Sequence, residues 1–137
     1  MAVSKKLFVE LVSPERELWA GEGDMVIAKT IDGEVGIQPG HLPILALLAP
    51  GAVVRVLGGR ENGEVRAAVH GGYISVTDTN RVSILAEVAE LAEDIDTERA
   101  RGTLEEAVAA GIAVEDEEAV HKLMRARSRL RAAGEAA

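Results

Sequence analysis

The abrupt change in composition near residue 91 constrains this chain more than any other feature. Upstream lie eleven of the fourteen glycines and all four prolines, set between short runs of valine, isoleucine and leucine. Downstream, proline is absent and alanine, glutamate and arginine dominate. Glycine or proline at such close intervals marks turns between short strands, whereas the tail has the composition of helices. The expected organisation is therefore an all-β unit over residues 1–91 and a helical unit over 92–137.

The β reading rests on period-two alternation, which sends one face of a strand into a core and the other toward water. Leu7, Val9 and Leu11 share a face against Phe8, Glu10 and Val12. Val65, Ala67 and Val69 oppose Glu64, Arg66 and Ala68, and Val82, Ile84 and Ala86 oppose Arg81, Ser83 and Leu85. Met25–Ile31, Ala52–Leu57 and Tyr73–Thr77 are similar runs. Many strands without intervening helices predict an antiparallel sandwich or barrel.

In the tail, Asp96 or Thr97 is placed to cap a helix carrying Ala100, Leu104, Ala107 and Val108 and ending at Gly111. Ile112–Asp116 connects it to a second helix bearing Val120, Leu123, Met124 and Leu130, with Gly134 past its end. Charge is segregated: residues 93–118 hold ten acids and two arginines. Residues 119–131 hold Lys122, Arg125, Arg127, Arg129 and Arg131 and no acid. Either the two helices attract each other in an antiparallel hairpin, or the basic helix awaits an acidic or phosphorylated partner. Few large apolar residues support roughly 40 ordered residues, each costing about 1–2 kcal/mol in backbone entropy. Such a hairpin is stable chiefly when docked, and so is expected to be a moving part.

Composition removes several functions. The net charge of −8 repels nucleic acid and anionic lipid, and three aromatics are too few for a base-stacking platform. Without cysteine there is no disulfide framework, thiolate metal site or cysteine nucleophile. The N-terminal MAVSKKLFVEL does not read as a signal peptide, and the uncharged stretch Val35–Val54 carries too many prolines for a spanning helix. No Gly-Lys pair forms a P-loop, and Gly21-Glu22-Gly23 is read as a turn between strands. His41, His70 and His121 lack metal-ligand spacing, and no serine sits in a nucleophile elbow. The residues alone describe a non-catalytic interaction protein.

One segment is more particular: Gly33-Glu34-Val35-Gly36-Ile37-Gln38-Pro39-Gly40-His41-Leu42-Pro43-Ile44-Leu45. Read from its residues, it is a long turn apolar enough to meet another surface. It strongly resembles the signature loop of the epsilon subunit of bacterial F-type ATP synthases. Val12-Ser13-Pro14-Glu15-Arg16 through Gly21-Glu22, His70-Gly71-Gly72-Tyr73-Ile74-Ser75-Val76 and Asn80-Arg81-Val82-Ser83-Ile84-Leu85-Ala86 match in the same order. The resemblance covers nearly the whole chain.

It implies a β-sandwich of two antiparallel sheets and about ten strands, followed by an α-helical hairpin. It implies a non-catalytic subunit of the rotating central stalk, bound to the gamma subunit and seated on the c-subunit ring. Such a subunit couples proton translocation to rotary ATP synthesis and lies at the cytoplasmic face of the bacterial membrane, which it meets only through the complex. Carried over by position, Glu34, Gly36, Gly40, His41 and Pro43 face the c-ring. The tail would inhibit ATP hydrolysis when extended toward the catalytic beta and alpha subunits, through Lys122, Arg125, Arg127, Arg129 and Arg131.

No cofactor is required on this reading, and ATP is a possible regulatory ligand. Some relatives bind it through an Ile/Leu-Asp-x-x-Arg-Ala motif, matched by Ile95-Asp96-Thr97-Glu98-Arg99-Ala100. Glu90, Arg125 and Arg129 complete the pattern, so Glu90, Asp96, Arg99, Ala100, Arg125 and Arg129 are the candidate nucleotide residues. Glu106 stands where that pattern has another arginine, and the interval between motif and paired arginines is about four residues shorter. A helical wheel also puts Arg125 and Arg129 opposite Val120, Leu123 and Leu130, away from a seam between the helices. Asp96 and Arg99 could then be only a helix cap with a local ion pair. Two other functions compete: a free-standing adaptor docking an acidic protein, and a small metal enzyme using His41 and His70.

Overall fold

A computed structural model describes residues 6–61, 63–111 and 116–134. Eight strands come first: β1 Leu7–Val12, β2 Glu17–Gly23, β3 Met25–Thr30, β4 Gly33–Ile37, β5 Ile44–Leu47, β6 Ala52–Arg60, β7 Gly63–Val76 and β8 Arg81–Leu91. A 3₁₀ turn at Ala92–Asp94 leads to α1 Thr97–Ala110 and α2 Glu117–Ala132.

Strands β7 and β8 are long because each serves both layers of a sandwich. The first half of β8 and the second half of β7 lie between β1 and β5, with β2 outside β1. The second half of β8 and the first half of β7 continue into β6, β3 and β4. Counted by layer, each sheet has five strand segments, which gives the expected ten from eight hydrogen-bonded strands. The pairs are antiparallel except β1 with β8, which run parallel. We call the layer containing β5 sheet one and the layer containing β6 sheet two.

The bend that separates the layers is chemical in origin. Inward residues of β7 are Val65, Ala67 and Val69, then Ile74 and Val76, so the alternation changes phase between them. In the register His70 pairs with Val88 and Gly72 with Ala86, which leaves Gly71 and Glu87 between. Gly71 and Gly72 have φ of 72° and 116°. A Cβ on Gly72 would lie 2.0 Å from the Leu85 carbonyl oxygen. Only glycine tolerates both the conformation and the approach.

The core between the layers contains Leu7, Val9, Leu11, Val26, Ile37, Val54, Val56, Val69, Ile74, Val82 and Ile84, all nearly solvent-free. The alternating faces read from the sequence are those observed for β1, β7 and β8. Two local expectations change. Gly21-Glu22-Gly23 is not a turn but the end of β2. The Trp19 ring fills the space over Gly21, and Val56 fills the space over Gly23, so side chains there would collide. The long turn at Gly33–Leu45 is likewise split, its ends being recruited into β4 and β5 by pairing with β3 and β7.

Asp96 caps α1 as the sequence predicts, and Asp116, read as the end of the connection, caps α2. The Asp96 carboxylate accepts from the Arg99 backbone N–H at 3.0 Å, and the Asp116 carboxylate accepts from that of Ala119 at 3.1 Å. Gly111 closes α1, while the connection beyond it falls at 112–115, outside the described residues. The hairpin lies over the outer face of sheet two, held chiefly by α2. Ala126, Ser128, Leu130 and Ala132 are buried, and Ser128 Oγ donates to the Ala52 carbonyl oxygen at 2.8 Å. Ala132 joins Ile95, Ala68 and Val53 in a small second cluster. Val108, expected to pack, is 63% exposed, and Met124 is also exposed, because the buried positions of α2 begin only at Ala126.

Candidate functional site

Residues Glu90, Asp96, Arg99, Ala100, Arg125 and Arg129 come from three elements, and all six line one cavity of about 520 Å³. Glu90 is on β8, one residue before the strand ends. Asp96 caps α1, and Arg99 and Ala100 follow in its first turn. Arg125 and Arg129 lie one helical turn apart on α2. Asp94, Thr103, Glu118 and Lys122 complete the wall.

Arg125 and Arg129 border this cavity even though they point away from the apolar stripe of α2. The cavity is not in the seam between the apolar stripes of the helices. It opens at their flank, where α1, α2 and the end of β8 converge, so arginines pointing away from Leu130 point into it. Arg129 Nε donates to Glu90 Oε1 at 2.5 Å. Arg99, Arg125 and Lys122 supply further cations, opposed by Asp94, Asp96 and Glu118. Guanidinium groups on two converging helices suit a phosphate chain. Glu106, the departure from the arginine pattern, borders a different cavity, between the helices near Gly111.

Arg125 and Arg129 also border a second cavity of about 430 Å³, under α2 at the bend of β7. His70 lies there, 8% exposed, and neither ring nitrogen has a hydrogen-bond partner among the described residues. Burial, and then the charges of Arg129 and Arg125, lower its pKa from 6.5 to about 4. The sequence offers this histidine as a possible metal partner of His41 and as the first residue of a matched stretch, but nothing in it marks the burial.

The other candidate residues sit at the opposite functional extreme, on exposed backbone. Glu34 and Gly36 are on β4, and Gly40, His41 and Pro43 lie on the turn between β4 and β5. Glu34, Gly36, Gly40 and Pro43 are exposed, and His41 is half-buried. Next to them Leu42 is 78% exposed, and Ile31 and Leu45 are exposed as well. The turn is fastened by Asn80, whose side-chain oxygen accepts from the Gly40 N–H at 2.7 Å. Asn80 itself has φ of 60°. Its latch role was not foreseen, although an asparagine between two strands is a familiar left-handed turn residue.

Histidines 41 and 70 do not form a joint site. His41 Nδ1 contacts the Leu42 carbonyl oxygen at 2.6 Å on the turn, whereas His70 is under α2. No group of three metal-ligating side chains occurs among the described residues. Of the basic series, Arg125, Arg129 and Lys122 border cavities, Arg127 is half-buried and Arg131 is exposed.

Sheet one presents a different surface. Cross-strand register aligns Val12, Leu85, Tyr73 and Leu47 in a row across its outer face. Tyr73 and Leu47 are exposed, and among the described residues no helix covers them.

The family model described as ATP synthase, Delta/Epsilon chain, beta-sandwich domain matches residues 6–92. The ATP synthase epsilon chain of Thermobifida fusca (strain YX) is 73% identical over 133 residues, covering 97% of this chain and 96% of that one. That of Streptomyces coelicolor is 45% identical over 131 residues, covering 96% and 98%. Among solved structures, a chain in the Euglena gracilis mitochondrial ATP synthase OSCP/F1/c-ring structure superposes with a TM-score of 0.71 at 26% identity, covering 93% of this chain and 78% of that chain. A chain of the Tetrahymena thermophila mitochondrial ATP synthase central stalk and c-ring matches in fold, with a TM-score of 0.59 at 19% identity and coverage of 96% and 99%.

Proposed function

The chain belongs to the family of ATP synthase epsilon chains, and from that premise we propose how its parts divide the work of a central-stalk subunit. It is a non-catalytic subunit of the ATP synthase complex, in the peripheral F1 part. Among the described residues no helix is long and apolar enough to cross a membrane.

The observation that carries the reading is the unequal covering of the two sheets. Sheet two is roofed by α2, while sheet one leaves the row Val12, Leu85, Tyr73 and Leu47 open. An uncovered apolar face on an otherwise well-buried sandwich is a docking surface, and its occupant on this reading is the gamma subunit. The turn at Gln38–Pro43, with Glu34, Gly36, Gly40, His41 and Pro43, meets the c-ring. Its exposed Leu42 supplies an apolar contact, and the Asn80 latch keeps the turn stiff enough to transmit torque. In a bacterial cell the subunit then lies at the cytoplasmic face of the membrane, held there by the complex alone.

The tail is the regulatory part. Docked, Arg129 is held by Glu90 of the sandwich; released, Lys122, Arg125, Arg127, Arg129 and Arg131 are free to meet acidic segments of the beta and alpha subunits and resist hydrolysis. Regulatory ATP occupies the cavity of Glu90, Asp96, Arg99, Ala100, Arg125 and Arg129, with the arginines on its phosphates. Support comes from the convergence of all six on one cavity.

Two experiments test this. The chain should copurify with gamma when the two are co-expressed, and replacing Tyr73 and Leu47 by serine should abolish that; a free-standing adaptor would not copurify. Removing residues 93–137 from the assembled enzyme should raise ATP hydrolysis more than it alters synthesis. Equal hydrolysis with and without the tail, across nucleotide conditions, would leave only the stalk role.

A further inference from the structure

We propose that His70 is a proton-binding site that controls whether α2 stays on the sandwich, so that acidification releases the tail. The proposal rests on the reading of the tail as a two-state element. It goes beyond that reading by naming a ligand, the proton, and the side chain that takes it up.

The geometry makes the docked state inhospitable to a charged imidazole. His70 points outward from β7 on the face roofed by α2, at the bend where Gly71 and Gly72 turn the strand. Leu48, Pro50, Val88 and Met124 supply apolar wall. Arg125, Arg129 and His121 face the same cavity from α2, and Glu87 faces it from β8. Glu90 of β8 is already engaged by Arg129. Glu87 makes no hydrogen bond to the imidazole, whose two nitrogens are both without partners. Protonation would turn both nitrogens into donors lacking acceptors, between two guanidinium groups.

Lifting α2 changes every part of this. It uncovers the ring and carries Arg125 and Arg129 away, so the released state binds the proton as an ordinary histidine does, near 6.5. In the docked state burial and the two arginines hold the pKa at about 4. The released state therefore binds more protons between these values. Docking is at full strength above about pH 6.5 and weakens as pH falls toward 4. From these two values the docking constant should drop about eightfold between pH 7 and pH 5.5. That is large enough to matter for a helix held mainly by Ala126, Ser128, Leu130 and Ala132.

The test uses the full chain in solution. The His70 imidazole is titrated by NMR, and amide exchange of 126–132, corrected for intrinsic rates, is followed at pH 7 and 5.5 beside Ile74 and Ile84 of the core. The expected result is a His70 pKa well below 6.5 and α2 opening about eightfold more often at pH 5.5. The His70→Leu variant should keep α2 docked with little pH dependence. Titration of His70 near 6.5 with α2 docked would overturn the proposal, without recourse to any variant. So would pH-independent opening of α2 in the wild type, or an unchanged pH response in His70→Leu; those outcomes leave the tail a switch of another kind. Exchange of α2 only together with the core strands would overturn the two-state reading itself, and this inference with it.

Discussion

Arg129 of α2 reaches Glu90 of β8 with its Nε 2.5 Å from Oε1, so the helix that would have to move is tied to the strand on which the sandwich ends. Both side chains are largely covered, and both line the cavity shared by the two helices. The same guanidinium borders the pocket of His70. One residue thus touches the tether, the candidate ligand cavity and the proton site.

Replacing Arg129 by alanine should loosen α2 without unfolding the sandwich. The pair is partly exposed, so its loss is worth roughly 1 kcal/mol rather than the several of a buried pair. Amide exchange of α2 should accelerate by about the fivefold to tenfold that this corresponds to, while Val82 and Ile84 stay unchanged. Arg131→Ala, at an exposed position on the same helix, should do neither. Equal effects from both substitutions would reduce the Arg129–Glu90 contact to a surface ion pair.

The bend at Gly72 makes a sharper demand. Gly72→Ala places a methyl group 2.0 Å from the Leu85 carbonyl oxygen at a φ of 116°. Backbone must move in the two strands that belong to both sheets, and the loss should reach several kcal/mol. Gly102→Ala is the control: nothing lies within 4 Å, the residue is helical, and α1 should gain about 0.5–1 kcal/mol. Thermal unfolding of the two variants should move in opposite directions.

These contrasts also explain what the sequence could and could not reveal. Alternation in β1 and β8 was legible because each has a wetter and a dry face, whereas Ala68 and His70 on the outer face of β7 are buried under α2. The cap of α1 was legible because an aspartate three residues before a free N–H has few other uses. Gly21 and Gly23 misled because their role is to make room for side chains, Trp19 on the same face of the same strand and Val56 on β6. A glycine that closes a turn and a glycine that yields to a neighbour look identical in sequence. The candidate nucleotide residues were found through a motif resemblance, while the helical wheel spoke against them, since two helices considered alone have no flank formed by a strand. The burial of His70 was illegible because it depends on a roof supplied by residues more than fifty positions away.

Asn80 provides a test of the turn that the motif could not. Asn80→Ala removes the acceptor for the Gly40 N–H and puts alanine at a φ of 60°, so the isolated chain should lose about 1–2 kcal/mol. Rotor assembly or proton-driven synthesis should suffer more than stability does. Gly40→Ala should have a similar effect by another route, strain at φ of 86° with no steric clash. If the melting temperature falls far enough to account for the functional defect, the turn is structural and its contact with the c-ring is not needed to explain it.

Ser128 allows the ligand cavity to be tested without touching a ligand residue. It is fully buried, and its hydroxyl donates to the Ala52 carbonyl oxygen beneath α2. Ser128→Leu removes that bond and adds volume where none is free, so α2 should leave the sandwich. All six candidate residues remain in the chain, but they no longer converge, and the apparent affinity for ATP falls with the docked fraction. Calorimetry should therefore give heat with the wild type, none with Arg99→Ala, and a much weakened response with Ser128→Leu. By the reverse linkage, ATP at a hundredfold excess over its dissociation constant should protect α2 amides by about 2.7 kcal/mol in the wild type. Undiminished ATP affinity in Ser128→Leu with α2 released would place the ligand elsewhere. Silence from the wild type at millimolar ATP would leave Asp96 and Arg99 as the cap of α1 and nothing more.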